Sequence, residues 1–127
     1  MPAGNAHRIL STLYEAFTSG IGPGILNDPG DAGTIGPTVN FQVCEMVSAA
    51  VETRTLRNPN RAGVRFLIRM KTDGGNITLT GANGLNVGGN TAAVFADVGD
   101  QLELVSVSHT TGYRWEILVN TGSVSLS

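Results

Sequence analysis

The stretch VRFLIRMKTDGGNITLT, residues 64–80, decides the fold class of this chain. In its first part, apolar residues occupy every second position and basic residues fill most of the positions between them. This period of two predicts a β-strand with one apolar face and one largely basic face. Residues 73–76, with the sequence DGGN, predict a turn, and residues 77–80 predict a second alternating strand.

The same period of two recurs from residue 41 to the end of the chain. Glycine- and asparagine-rich turns separate the alternating segments, and no helical pattern lies between them. Short strands at this spacing predict an all-β fold over residues 41–127, a small antiparallel β-sandwich or barrel that is jelly-roll-like. Because no helix separates the strands, we expect no parallel βαβ arrangement.

Residues 1–40 differ in composition and predict an N-terminal arm before the sandwich domain. A short helix over about residues 6–18 is predicted by five apolar residues at helical spacing: Ile9, Leu10, Leu13, Tyr14 and Phe17. This helix packs either on its own domain or on a neighbouring subunit. The Gly- and Pro-rich segment from Gly20 to Val39 predicts no regular element. Since its apolar residues are not typical of disorder, we expect an extended arm that becomes ordered on a surface.

Two segments of the β region, residues 41–47 and 102–107, are apolar at both odd and even positions. Strands with two apolar faces need cover on both sides, whereas a lone small sandwich covers one face only. We therefore expect the chain to form a homo-oligomer that shields the second face.

Composition and charge exclude several classes of protein. A length of 127 residues predicts one domain. The 8 lysines and arginines against 10 acidic residues give a net charge of −2, which argues against nucleic-acid binding through overall charge. No apolar run is long enough to span a bilayer, and the N-terminus lacks the pattern of a secretory signal. We therefore expect a protein made in the cytosol, without a membrane partner.

The sequence also lacks the residue groups that catalysis or metal binding needs. Cys44 is the single cysteine, and His7 and His109 are the only histidines, so neither an intrachain disulfide nor a closed zinc site is expected. Cys44 has apolar neighbours, which predict a buried, unreactive thiol. Residues 27–31, NDPGD, predict a turn rather than a calcium loop. With no nucleophile motif, phosphate loop or paired carboxylates, we expect neither an enzyme nor a bound cofactor.

Residues 53–127 contain a series of motifs in a definite order. The order is TL at 55–56, a turn from Pro59 to Gly63, a strand at 65–71, DGGN with ITL, LNVG at 85–88, GDQLELV at 99–105 and GYRW at 112–115. This order resembles the β-sandwich module of tailed-phage head decoration (cement) proteins, which also occurs in some tail-fibre and spike proteins. The first 40 residues lie outside the resemblance.

The resemblance implies a virion structural protein without catalytic activity. Such a protein binds the major capsid protein as a trimer on the outer surface of the phage head and stabilises the shell, after synthesis in the host cytoplasm. The alternatives are a tail-fibre or spike tip module that binds a host receptor, and a small carbohydrate-binding β-sandwich. Capsid or subunit contacts are predicted at Ile9, Leu13, Phe17, Ile21, Ile25, Arg65 and Arg69.

Six of the eight cationic residues lie in one stretch, with no acidic residue between positions 53 and 72: Arg54, Arg57, Arg61, Arg65, Arg69 and Lys71. This cluster is typical of a solvated strand face. Because arginine pairs well with carboxylates at interfaces, the alternatives are an acidic capsid patch or acidic residues of another subunit: Asp97, Asp100, Glu103 or Glu116. Nucleic acid is disfavoured because the stretch lacks stacking aromatics.

Tyr113 and Trp115 share one face of a predicted strand with Ile117. Aromatic residues in this arrangement form a sugar-stacking platform in some binding proteins. Their alternation with polar residues instead favours packing in the core.

Overall fold

The computed structural model describes residues 24–110 and 112–127, which contain ten β-strands and no helix. The strands are β1 (Ile25–Leu26), β2 (Gly33–Ile35), β3 (Phe41–Val47), β4 (Glu52–Leu56), β5 (Arg65–Thr72), β6 (Ile77–Gly81), β7 (Ala92–Phe95), β8 (Gln101–His109), β9 (Gly112–Thr121) and β10 (Ser125–Leu126). The helix predicted over residues 6–18 lies outside the described residues.

The strands form two five-stranded sheets that share one apolar core. Sheet I has the order β1-β3-β5-β8-β9, and sheet II has the order β10-β7-β6-β4-β2. Alternate side chains of both sheets are buried in a single cluster, which includes Phe66 and Ile68 from sheet I and Leu79 and Phe95 from sheet II. The all-β prediction is confirmed, and the two layers are consistent with a β-sandwich.

The antiparallel, jelly-roll-like prediction is wrong for the first part of the chain. Four of the eight strand pairings are parallel, namely β1–β3, β3–β5, β2–β4 and β4–β6. From β1 to β6 the chain crosses to the opposite sheet after every strand, so the strands of one sheet run in the same direction. We call residues 25–81 the coiled half.

The strand in the opposite sheet explains why parallel pairing needs no helix here. Parallel neighbours require a long crossover, which an α-helix usually provides. In the coiled half, a strand of the other sheet takes that place. Ile25 pairs with Val43, 18 residues later, and Glu52 pairs with Ile77, 25 residues later, so the circuits lengthen along the coiled half.

Residues 73–76 illustrate the difference between a hairpin and a coil. This turn joins β5 in sheet I to β6 in sheet II, rather than two strands of one sheet. It packs directly on the corresponding turn of the previous circuit, where Gly74 N donates to Ser48 O at 2.9 Å. A Cβ atom at Gly74 or Gly75 would clash with the backbone of that turn, at Ser48 or Ala50. The two glycines therefore allow successive circuits to stack.

The last four strands, β7 to β10, pair antiparallel, as the sequence predicts. We call residues 92–126 the hairpin half. It joins the coiled half through antiparallel pairing of β8 with β5 and of β7 with β6. Leu118 is an extra residue in β9, at the register shift opposite Glu103 and Leu104.

The segment before residue 41 contributes directly to both sheets. β1 forms the edge of sheet I beside β3, and β2 forms the edge of sheet II beside β4. The side chain of Ile35 is buried in the shared core. Residues 24–40, which the sequence analysis assigns to an extended arm, thus lie along the sandwich and form one edge strand of each sheet. The predicted contact residues Ile9, Leu13, Phe17 and Ile21 lie outside the described residues.

Candidate interaction surfaces

The outer face of sheet I carries apolar side chains across all five strands. One row in register consists of Ile25, Val43, Leu67, Glu103 and Val119. A neighbouring row consists of Phe41, Arg65, Val105 and Glu116. We call the six apolar members of these rows the outer apolar face: Ile25, Phe41, Val43, Leu67, Val105 and Val119.

The outer apolar face remains open to solvent in the single chain. Ile25 is 60% exposed, Phe41 44% and Val119 43%. Residues of opposite parity on the same strands, such as Cys44 and Leu104, are fully buried in the core. The prediction that residues 41–47 and 102–107 have two apolar faces is therefore confirmed.

The outer face of sheet II has a different chemistry. On its three neighbouring parallel strands, β2, β4 and β6, the outward positions are threonines in register: Thr34, Thr53, Thr55, Thr78 and Thr80. Threonine combines a high β-propensity with a hydroxyl group that bonds to water. Water therefore forms hydrogen bonds with the hydroxyl groups of this face, whereas the side chains of the outer apolar face offer water no such bonds.

Arg54, the first residue of the predicted basic cluster, is buried. Its guanidinium donates two hydrogen bonds to Asp28, from Nε to Oδ1 at 2.8 Å and from Nη2 to Oδ2 at 2.9 Å. Nη2 also lies 3.0 Å from Glu52 Oε1. The partner is thus the NDPGD turn of the same chain. For Arg54, the expectation of a solvated strand face and the alternative of an acidic residue from another subunit are both wrong. Such a bidentate pair fixes the turn between β1 and β2 against β4.

Asp28 itself accepts further hydrogen bonds, from the backbone N–H groups of Val47 and Gly30. Burial alone raises the pKa of this carboxyl group, but the hydrogen bonds from Arg54, Val47 and Gly30 outweigh burial and lower it below its usual value. Asp28 therefore connects β1, β3 and β4 as a charged group.

Three of the predicted contact residues do lie together on sheet I. Arg65 and Arg69 project from β5 on the same face as Leu67, and Ile25 lies in the row between them, on β1. Arg69 Nη1 is 3.6 Å from Glu45 Oε2, and its side chain is half exposed. Among the described residues, Arg65 forms no ion pair.

Two of the acidic residues predicted to pair across subunits have partners within the chain. The carboxylate of Asp100 is buried and accepts backbone hydrogen bonds from Ala96, Asp97 and Ser123. Burial raises the pKa of Asp100, but these hydrogen bonds outweigh burial and lower it. Glu116 accepts a hydrogen bond from Arg114 at 2.8 Å. Asp100 therefore organises the turns of the hairpin half, a role that sequence spacing alone does not indicate.

A cavity of about 260 Å³ lies at one end of the sandwich. The β2–β3 loop contributes Pro37 and Thr38, and the β4–β5 loop contributes Arg57 and Arg61 together with two asparagines. Trp115 lines the cavity from β9. No aspartate or glutamate is among the lining residues.

Trp115 is a core residue, as predicted. Only 1% of its surface is exposed, and its Nε1 donates to the carbonyl oxygen of Arg57 at 2.9 Å. Its ring packs against Phe66, with a centroid distance of 6.1 Å. The ring therefore offers no exposed face on which a sugar could stack.

The thiol of Cys44 and the potential metal ligands are the remaining reactive groups. Cys44 is fully buried, and desolvation raises its pKa to about 12, so its thiol is unreactive as predicted. Within residues 24–110 and 112–127, no three histidine, cysteine or acidic side chains come together to form a metal site. The same residues contain no helix long and apolar enough to cross a membrane.

Comparison with known proteins gives no family for this chain. A scan against protein-family models finds no match, and a search of curated proteins finds none either. The resemblance to decoration proteins therefore stays a prediction that rests on the motifs of residues 53–127.

Proposed function

We propose that this protein is a virion structural protein that decorates the head of a tailed phage as a homotrimer bound to the major capsid protein. The observation that supports this proposal best is the outer apolar face of sheet I. In a lone chain three of these side chains are exposed and the other three, Val43, Leu67 and Val105, are half-buried. Burial against a neighbouring copy gains about 25 cal/mol for each Å² of apolar surface removed from water.

The charges on this face suit contact between copies. Arg65 lies beside Val105, and Glu103 lies between Leu67 and Val119 in the adjacent row. Around a three-fold axis each copy contacts the next one head to tail, so the guanidinium of Arg65 in one copy pairs with the carboxylate of Glu103 in the next and fixes their register. The threonine face of sheet II offers no comparable apolar area, so it stays in solvent.

Attachment to the shell is proposed for the residues that precede β1. The chain enters the sandwich at Ile25, at the edge of sheet I next to the outer apolar face. The apolar residues predicted to contact the capsid therefore precede this edge in the chain: Ile9, Leu13, Phe17 and Ile21. A trimer presents three such segments, which raises their effective concentration at the shell.

Light scattering tests the self-association. The wild-type protein is expected to have the mass of a trimer, whereas Leu67→Lys places a charge in the outer apolar face and yields monomers. Thr80→Lys adds the same charge to the threonine face and leaves the trimer intact. A monomeric wild type at high concentration, or equal dissociation of both variants, contradicts this interface.

Cosedimentation tests the attachment to capsids. The full chain is expected to sediment with phage heads that lack it, and removal of residues 1–23 abolishes this binding while the trimer persists. The deletion stops before β1, because β1 and β2 belong to the sandwich. Failure of the full-length trimer to bind heads rejects the decoration function but leaves the self-association result unaffected.

The carbohydrate-binding alternative has no supporting observation, because Trp115 is buried. We therefore advance no second function.

A further inference from the structure

Two cationic side chains lack a carboxylate partner in the cavity at one end of the sandwich, which we call the end cavity. Arg57 and Arg61 both line the cavity, and neither forms an ion pair with a described residue. Three other arginines are neutralised within the chain, since Arg54, Arg69 and Arg114 each pair with an acidic residue. The cavity therefore holds two positive charges that no described carboxylate pairs with.

Neutral oxygen atoms hold both guanidinium groups in place. Arg57 Nη2 donates to Gly36 O at 2.7 Å. Arg61 donates from Nε and Nη2 to Asn40 Oδ1, at 3.2 and 2.7 Å, and from Nη1 to Asn60 Oδ1 at 3.2 Å. These contacts orient the groups without cancelling their charge. Each Nη atom carries two hydrogens, so both arginines retain N–H donors for a further acceptor.

From this arrangement we infer that the end cavity is a binding site for a carboxylate, supplied by an acidic side chain of a partner protein. Arginine pairs with carboxylates through parallel N–H donors, and oriented donors lose less entropy on binding. The asparagines at 58 and 60 add amide groups at the rim, and Pro59 limits the freedom of the loop.

The dimensions and the wall of the cavity favour a protein side chain over a sugar acid. A volume of about 260 Å³ is below the range of about 300–1,000 Å³ that is usual for small-molecule pockets. The indole of Trp115 is buried, and its N–H group is already bonded to Arg57 O. A sugar ring would therefore find neither a stacking surface nor an indole donor. This site goes beyond the proposed function and stands independently of it.

Tryptophan fluorescence tests the site directly, because Trp115 is the only tryptophan of the chain and lines the cavity. The probe is a short peptide of alternating glycine and glutamate with blocked ends, and the matched peptide contains glutamine instead of glutamate. We expect the glutamate peptide to cause a saturable change in emission that weakens with added salt, and the glutamine peptide to cause none.

Three variants locate the binding. Arg57→Gln and Arg61→Gln each weaken affinity for the glutamate peptide about tenfold or more, since each removes charge-assisted hydrogen bonds. Lys71→Gln removes the same charge from an exposed position of β5, outside the cavity, and leaves the affinity nearly unchanged. Both arginines are exposed, so neither substitution removes a core side chain, and circular dichroism checks that each variant is folded.

Several outcomes overturn this inference. Equal responses to the glutamate and glutamine peptides show that no carboxylate is recognised. Equal weakening by Lys71→Gln and Arg61→Gln shows only a general effect of charge. Saturable binding of galacturonate without a response to the glutamate peptide identifies a sugar-acid site instead. The trimer mass of each variant, measured separately, keeps these results apart from the self-association test.

Discussion

The coiled half and the hairpin half build one core by different routes. In the coiled half, strands that pair within a sheet are separated in sequence by a strand of the opposite sheet. In the hairpin half, β8 and β9 follow each other directly and pair antiparallel. Ordering the coiled half therefore requires contacts between residues far apart in the chain, whereas a hairpin such as β8–β9 forms from local contacts.

Each half contains one carboxylate that ties its turns together, largely buried at Asp28 and fully buried at Asp100, and the partners of the two differ. Asp28 in the coiled half is paired with a buried arginine, which joins residues 26 positions apart. Asp100 in the hairpin half accepts hydrogen bonds from neutral backbone groups, two of which lie within four residues. The difference indicates that a charged pair holds the β1–β2 turn against the distant strand β4, whereas backbone donors hold the local turn between β7 and β8. Four predictions test this comparison, from the largest effect to the smallest.

Trp115→Ala is expected to cost about 4 kcal/mol of unfolding free energy, because it removes a large buried ring from the point where the halves meet. Trp115 belongs to the hairpin half but donates to Arg57 O, just after β4. Urea unfolding followed by circular dichroism measures the loss, and amide exchange should increase in both halves. Trp115→Phe keeps most of the ring and should cost clearly less. An unchanged midpoint for Trp115→Ala contradicts the buried position.

Arg54→Ala is expected to cost about 3 kcal/mol, because it leaves the carboxylate of Asp28 without its charged partner. Amide exchange should rise mainly in β1, β3 and β4, which meet at this pair. Arg69→Ala is the matched control, since its ion pair is half exposed and should contribute under about 0.5 kcal/mol. Equal losses for both variants would refute the special role of the buried pair.

Asp100→Ala is expected to cost about 2 kcal/mol, because three backbone N–H groups lose their acceptor. Here the increase in amide exchange should be confined to the hairpin half, at the β7–β8 and β9–β10 turns. Asp97→Ala, in the same turn but with an exposed side chain, serves as the control and should change stability little. Exchange that rises first in β1 and β3 would show that the halves do not open separately.

Acidification should gradually reduce the stability that the carboxylates of Asp28 and Asp100 contribute. The pKa values of Asp28 and Asp100 lie below their ordinary value of 3.8 in the folded chain. Their contribution is therefore complete above that value and is lost as the pH falls through the lower folded pKa values. The urea midpoint should be constant near neutral pH and decline below about pH 4. In Asp100→Asn the urea midpoint should decline less steeply below about pH 4. A decline identical to that of the wild type would show that other carboxyl groups cause it.

Much of the strand pattern follows from alternation alone. The alternating apolar positions Val64, Phe66, Ile68 and Met70 are buried, and Trp115 lies in the core as predicted. Cys44 is likewise buried. These predictions succeed because a strand exposes alternate side chains to opposite faces whatever strand lies beside it.

The same alternation cannot distinguish a parallel neighbour from an antiparallel one. The DGGN turn at residues 73–76 is typical of a hairpin, yet it joins two sheets, because its glycines let it stack on the turn of the previous circuit. Similarly, Arg54 lies in a run of cations, but its partner Asp28 precedes it by 26 residues. Neither relation is visible in local sequence.

The amino-acid sequence by itself determined the all-β class, the positions that face the core and the presence of a second apolar face, since each depends only on the period of two. Tertiary structure decided which strands are neighbours, which arginines are neutralised and which face a cavity. Those outcomes depend on contacts between distant segments, and the free energy of such contacts exists only once the two sheets have packed together.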